Sequence, residues 1–182
     1  METAQVVALL TFVLVALLVA AGVRRAGAVL FRTRVAENFR GDVRGLDRRV
    51  GASLSEVIVL IDAVRRHAAE PESLRPALAV STGAVDGYLA DARALGGPAA
   101  ARVHLNALIG ELERVARALE LVAHGCDLAV AGRGYGRGLE VDTAIKRGYL
   151  NLVHALETFT AHAASAVAAA EEASPARRFR RG

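Results

Sequence analysis

The sequence predicts an all-α protein in which a single N-terminal transmembrane helix is followed by a long antiparallel four-helix bundle. Three observations predict this fold class. The N-terminal residues are apolar and nearly uncharged, and the rest of the chain repeats apolar residues at steps of three and four. In addition, no stretch alternates polar and apolar residues as a strand would, so no sheet is expected.

Residues 4–23 form an apolar stretch whose only polar members are Gln5 and Thr11. A helix of this length measures about 30 Å, which matches the hydrocarbon core of a bilayer. Since a helix satisfies its own backbone hydrogen bonds, it can lie in lipid. The stretch therefore predicts a membrane anchor over residues 1–27.

A cleavable signal peptide is the alternative interpretation of this segment, because Val19, Ala20 and Ala21 resemble a small-residue cleavage site. Two features oppose it. The residues before the apolar stretch include Glu2 and no basic side chain. The stretch is also longer than the apolar core of about 7 to 15 residues in a typical signal peptide.

The flanking charges predict the orientation of the anchor. Four arginines follow the apolar stretch and no basic side chain precedes it: Arg24, Arg25, Arg32 and Arg34. Basic residues are retained on the cytosolic side of a membrane. We therefore expect the N-terminus to be outside or lumenal and the remaining chain to be cytosolic, at the cell membrane or an internal bacterial membrane.

The first bundle helix is predicted by apolar residues at helical spacing from Phe31 to Val64. Its stripe comprises Phe31, Val35, Phe39, Val43, Leu46, Val50, Leu54, Val57, Ile61 and Val64. The pattern predicts one helix of about forty residues that ends at Pro71. Glycines inside it each weaken it by about 1 kcal/mol relative to alanine, so packing must hold it together.

The second helix is expected to begin with Ser73 as its N-cap and to carry Pro76 in its first turn. The sequence Gly96, Gly97, Pro98 should end it. The third helix should start at that proline. Its stripe alternates steps of three and four as in a coiled coil: Leu105, Leu108, Leu112, Val115, Leu119, Val122, Cys126 and Ala129.

The fourth helix is expected to open at Asp142 or Thr143 and to end near Ser174 and Pro175. Its stripe comprises Ile145, Tyr149, Leu152, Leu156, Phe159, Ala163 and Ala166. The bundle therefore spans residues 28–174, and a basic tail follows at 175–182. Four side chains should be buried where the third and fourth helices meet: Leu112, Leu119, Leu152 and Phe159.

Two segments resemble the bacterial LemA family. The run from Phe31 to Phe39, followed by Leu46 and the basic pair Arg48 and Arg49, is similar to the juxtamembrane helix of that family. Residues 107–113 and 127–130 resemble its later helix. The chain differs from the family where residues 51–59 replace a proline-containing signature and where Cys126 and Asp127 replace a tyrosine-asparagine pair.

The resemblance implies a long helical bundle on a membrane anchor and a scaffolding role. It also implies no established catalytic residues.

The segment from Gly132 to Gly138 contains four glycines in seven residues, so it is expected to be a loop between the third and fourth helices. Arg133, Arg137 and the intervening Tyr135 could hold a phosphate, a lipid headgroup, RNA or an acidic partner. The alternative is a linker that only lets the fourth helix fold back.

The C-terminal tail groups four arginines around Phe179: Arg177, Arg178, Arg180 and Arg181. The four expected helix lengths leave Ser174 roughly 26 Å above the bilayer, and eight extended residues span at most about 28 Å. The tail could thus touch anionic headgroups, each arginine contributing about 1 kcal/mol. The alternative is a disordered, solubilising terminus.

No metal site, cofactor or catalytic group is predicted. His154 and His162 share a helix face but lie about 12 Å apart, and the other histidines lack ligand spacing with them or with Cys126. Glu111 and Glu113 should be solvated, as should the neighbours Glu171 and Glu172. No nucleophile with a base, glycine-rich turn after a strand or Walker-type lysine is present.

The basic composition does not by itself predict nucleic-acid binding. The net charge is +4, but the basic residues are dispersed and only 4% of the residues are aromatic. Lys146 is the sole lysine, which is typical of a GC-rich bacterial genome. The single cysteine, Cys126, cannot form an intrachain disulfide and is expected to be a small buried hydrophobic residue.

Together these features predict a non-catalytic scaffold or adaptor at the cytosolic face of a bacterial membrane. Its expected partners are the lipid bilayer and a membrane or cytosolic protein, and a homo-oligomer is left open. The alternative is a module that binds anionic lipid or shapes the membrane.

Overall fold

The computed structural model describes residues 2–131 and 138–174. Within these ranges the chain is all-helical and has no strand, which confirms the predicted class. Four α-helices follow one another: α1 Glu2–Arg65, α2 Arg75–Ala94, α3 Arg102–Ala131 and α4 Gly138–Glu172. Two short 3-10 turns, Pro71–Leu74 and Ala99–Ala101, precede α2 and α3.

Helix α1 is one unbroken helix of 64 residues, about 96 Å long. The expectation of a separate first bundle helix of about forty residues is wrong, because α1 continues through residues 27 and 28 without interruption. Gly27 weakens the helix there by only about 1 kcal/mol relative to alanine, and the arginines and alanines beside it are good helix formers, so the helix continues. Within the described residues, α1 is the one helix long and apolar enough to cross a membrane by length and composition.

The end of α1 also differs from the prediction, because the helix stops at Arg65 and not at Pro71. His67 has a φ of 57°, and its N–H donates to the carbonyl oxygen of Val64 at 2.9 Å. The N–H of Ala68 donates to the carbonyl oxygen of Ala63 at 2.8 Å. These two bonds form a Schellman motif, which closes the helix before the proline is reached.

The starts of α2 and α4 lie near, but not at, the predicted residues. Pro76 lies in the first turn of α2 as expected, whereas Ser73 is not its N-cap. Ser73 belongs to the preceding 3-10 turn, where its hydroxyl donates to the carbonyl oxygen of Glu70 at 2.7 Å. Helix α4 begins at Gly138, ahead of the predicted Asp142 or Thr143.

The four helices pack in a ring, in which α3 contacts α2 and α4, and α1 contacts the same two helices. Arg75 pairs with Asp127 and Arg93 with Glu113, so residue numbers rise along α2 as they fall along α3. The same opposite order links α1 to α4. Asp47 accepts a hydrogen bond from Thr160 at 3.0 Å, whereas Arg65 lies over the ring of Tyr149 at 5.0 Å.

The predicted core of α3 and α4 is confirmed, since all four side chains are 0 or 1% exposed: Leu112, Leu119, Leu152 and Phe159. The two helices approach closely where Gly148 faces α3. A Cβ atom at Gly148 would lie 2.5 Å from Cγ2 of Val122 and 3.0 Å from the carbonyl oxygen of Ala118. Only glycine fits this contact without a shift of its neighbours.

Phe31, the predicted first core residue of α1, is 70% exposed and lies outside the core. The buried face of α1 begins at Ala36, and residues 14–32 are all exposed. The predicted stripe starts too early in the chain. Helices α2 and α4 end, and α3 begins, near the level of Ala36, so Phe31 has no helix to pack against. This part of α1 therefore stands clear of the bundle.

Candidate functional site

Both predicted basic groups lie outside the described residues. These are Arg133 and Arg137 of the glycine-rich segment and Arg177, Arg178, Arg180 and Arg181 of the tail. The residues that flank each group are described, however. They show at which end of the bundle each group leaves the fold.

The glycine-rich segment leaves the bundle at the end far from the apolar part of α1. Leu139 and Thr143, just after the segment, line a cavity with Val64 and His67 at the C-terminal end of α1. Val64 follows Val23 by about 62 Å along the helix axis. The described residues just after the segment therefore lie about 60 Å from the apolar stretch of α1.

The tail leaves the bundle at the opposite end. Val167 of α4 and Val43 of α1 line one cavity, and α4 continues to Glu172. Ser174 follows and is only 8% exposed. The last turn of α4 lies near the level of Phe39, about 24 Å along α1 from Val23. This height is close to the roughly 26 Å obtained from the expected helix lengths.

A groove on the outer face of α3 and α4 was not found from the sequence. A cavity of about 690 Å³ is lined by Arg117 and His124 from α3 and by Asn151 and His154 from α4. His124 and His154 lie on different helices and line the same groove because α3 packs against α4. The helical spacing of residues 117, 121 and 124, next to the predicted stripe of α3, could have indicated that these side chains share one face.

This α3/α4 groove continues into a second cavity of about 420 Å³, which shares Leu121 and His124 with the first. Its floor is apolar and its edges carry charges of both signs: Arg117, Arg147, Glu120 and Glu140. A groove of this kind can accept apolar side chains that are flanked by polar ones.

Glu111 is buried, so the expectation that it is solvated is wrong. It is 6% exposed, and Nη1 of Arg114 donates to its two carboxylate oxygens at 3.0 and 3.4 Å. The pair explains the burial, because a carboxylate is tolerated in a packed interface when a cation satisfies it. Glu113 lies nearer to solvent and pairs with Arg93.

A second group of ion pairs lies at the C-terminal end of α1. Arg65 donates to Asp62 from Nε and Nη2, and Arg66 pairs with the other carboxylate oxygen. The hydrogen bonds from Arg65, aided by the charges of both arginines, hold the pKa of Asp62 below its usual range. Because Arg65 also lies over Tyr149, this cluster links α1 to α4.

Cys126 is 0% exposed, as expected for a small buried hydrophobic residue. Burial, together with the neighbouring Asp127, raises the pKa of its thiol to about 11. At pH 8 only about one such thiol in a thousand is ionised, and the thiolate is the reactive form. Cys126 is therefore unreactive in the folded chain.

Among the described residues, no group of three or more histidine, cysteine or acidic side chains is arranged to hold a metal ion. Comparisons of the chain with protein-family models, with curated proteins and with solved structures found no match. Function is therefore inferred from the residues and their geometry.

Proposed function

We propose that the protein is a non-catalytic, membrane-anchored helical scaffold or adaptor. It acts through protein-protein contacts at the cytosolic face of a bacterial membrane. One observation carries this proposal: the exposed apolar part of α1 continues without a break into the bundle. A bundle on such a stalk presents its faces at a fixed height above the membrane, which is what a scaffold requires.

The membrane anchor over residues 1–27 is supported by the exposure of large apolar side chains in this part of α1. Leu17, Leu18 and Val23 are 63, 65 and 67% exposed. Burying a side chain of this kind stabilises a protein by roughly 1.5–3 kcal/mol, and a bilayer would provide that burial. The arginines that follow support a cytosolic bundle.

Residues 28–174 are proposed to form an antiparallel bundle. The opposite sequence order of the contacts between neighbouring helices supports this arrangement. The resemblance of residues 31–49 to the LemA juxtamembrane helix implies the same combination of anchor and bundle. It also implies a scaffolding role and supplies no established catalytic residues.

The α3/α4 groove is proposed as the surface that contacts the protein partner. Its apolar floor and charged edges suit the apolar face and polar flanks of an amphipathic helix. The groove lies on the side of the bundle, so it stays accessible when α1 stands in the membrane.

Photocrosslinking in intact cells tests this function. A photoreactive residue in place of Leu121, within the groove, should give one stoichiometric crosslinked protein. Val80, which is 74% exposed on α2, is the matched control position and should not give that product. The same product from both positions, or none from Leu121, would contradict a partner in the groove.

The alternative is a module that binds anionic lipid, and the position of Ser174 favours it. An extended tail of eight residues reaches at most about 28 Å, and it starts about 24 Å above the membrane end of α1. The last two tail arginines, Arg180 and Arg181, lie six and seven residues beyond Ser174, about 21 to 25 Å when extended, so they can reach headgroups of the membrane that holds the anchor.

Liposome binding tests this alternative. A fragment from Arg32 to Gly182 should bind anionic vesicles weakly at low salt, because basic residues are attracted to the surface potential. Changing Arg180 and Arg181, the two tail arginines that reach furthest, to glutamine should weaken that binding in a sedimentation assay. The control, Arg133→Gln with Arg137→Gln, removes the same charge at the other end and should have less effect. Equal binding by the tail variant and the parent would exclude the tail as a lipid contact.

A further inference from the structure

Large apolar side chains remain exposed on α1 between the proposed anchor and the bundle. Leu30 is 65% exposed and Phe31 is 70% exposed. The apolar stretch of the anchor ends at Val23, where Arg24 and Arg25 follow, so Leu30 lies about 10 Å beyond its end along the helix. The headgroup layer is only about 5 to 7 Å thick, so these side chains project beyond it. Neither the described bundle nor the lipid core covers them, so burial against a partner would be favourable.

The face that carries Leu30 points away from the rest of the bundle. Val23 and Leu30 are seven residues apart, which is nearly two helical turns, so they share a face. The buried Phe39 lies nine residues after Leu30, which is two and a half turns, so it points to the opposite side. The face with Val23 and Leu30 is therefore open to an approaching partner.

We propose that a second copy of this chain covers that face. The two α1 helices pair in parallel through Val23, Gly27 and Leu30, at and just above the membrane surface. This inference rests on the proposed membrane anchor. Because α1 is unbroken, every copy in the same membrane carries these residues at the same height. The apolar side chains of two copies can therefore contact each other without either helix moving along its axis.

The charges further along the same face fit a parallel pair. Arg34 and Glu37 follow Leu30 by four and seven residues, and both are exposed. Neither of them pairs with another described residue of its own chain. In a parallel pair, Arg34 of one copy and Glu37 of the other are offset by about 4.5 Å along the axis, so the long arginine side chain can reach the glutamate. An added Cβ atom at Gly41 would have no neighbour within 4 Å, so there is room for the α1 helix of the second copy to approach closely one turn after Glu37.

Cysteine crosslinking of the full chain in native membranes tests the pairing. Single cysteines are placed at Val23 and Leu30 on the open face, with Cys126→Ala as background. Ala28 and Arg32 are matched controls, because they lie within one turn of Leu30 on the opposite side of α1. Mild oxidation should give at least about fivefold more disulfide dimer at Leu30 than at either control, since a disulfide needs Cα atoms within about 7 Å.

A charge exchange tests the same contact independently. Glu37→Arg should reduce the dimer yield at Leu30, because it places only arginines at the contact. The double variant Arg34→Glu with Glu37→Arg should restore the yield. If the exchange does not restore it, the pairing is wrong in register or in direction.

Three results would overturn the proposal. Equal disulfide yields at all four cysteine positions would indicate random collision of α1 helices. Absence of dimer at every position would show that no second copy covers the face with Val23 and Leu30. A higher yield at Leu30 after removal of residues 175–182 would show that the tail covers the face.

Labelling of intact cells separates these results from failure of the membrane proposal. An impermeant thiol reagent should label a cysteine at Thr3 but not one at Ala176. The opposite labelling, or release of the protein from membranes by alkali, would overturn the proposed function. If the labelling is as expected but the crosslinking yields are equal at all four positions, only the proposed pairing is overturned.

Discussion

Leu119→Ala should lower the free energy of unfolding of a fragment from Arg32 to Gly182 by about 2–5 kcal/mol. Leu119 is 0% exposed, at the centre of the stripe where α3 packs on α4. Truncating it removes the burial of its side chain and leaves a cavity that tightly packed neighbours only partly fill. Every buried residue that the structure describes lies between Ala36 and Ser174, so the fragment keeps this core.

Urea denaturation of the fragment measures this effect, with Leu150→Ala as the control. Leu150 is 56% exposed on the outer side of α4, so the same change in chemistry should alter stability by no more than about 0.5 kcal/mol. An unchanged denaturation midpoint for Leu119→Ala would mean that the stripe faces a partner or solvent. Equal losses for both variants would mean that helix propensity and not packing is responsible.

The core of α3 and α4 could be predicted because helical periodicity alone determines which residues share a face. Leu108, Leu112 and Val115 are spaced by four and three residues, and each is 0% exposed. Such a stripe has to be buried against something. In a chain with four stripes, the other helices are the nearest apolar surface.

Helix boundaries were harder to predict, because they depend on single backbone conformations. A proline is a visible stop signal, so the sequence placed the end of α1 at Pro71. The actual stop is a left-handed His67, a conformation that a non-glycine residue adopts infrequently. Likewise, periodicity indicates the face of Phe31 but not where the neighbouring helices end.

The candidate sites were predicted only in part. His124 and His154 are separated by a whole interhelical connection, and only the packing of α3 on α4 brings them to one groove. Nothing in the spacing of either helix gives their relative register. The tail and the glycine-rich segment were found by composition, and their roles stay predictions.

Gly148→Ala should destabilise the same fragment, although alanine is the better helix former. The gain in helix propensity is about 1 kcal/mol. This gain is opposed by a steric clash. The new Cβ atom would lie 2.5 Å from Cγ2 of the buried Val122 and 3.0 Å from the carbonyl oxygen of Ala118. The carbonyl belongs to the backbone of α3, so α3 and α4 must separate. Overpacking of this kind costs about 1–3 kcal/mol.

Gly87→Ala separates the two contributions. Gly87 is exposed within α2 and has nothing within 4 Å of its Cβ position, so alanine there should raise stability by up to about 1 kcal/mol. The difference between the two variants in urea denaturation then gives the cost of overpacking alone. If both alanines stabilise the fragment equally, α3 and α4 do not approach as closely as Gly148 and Val122 indicate.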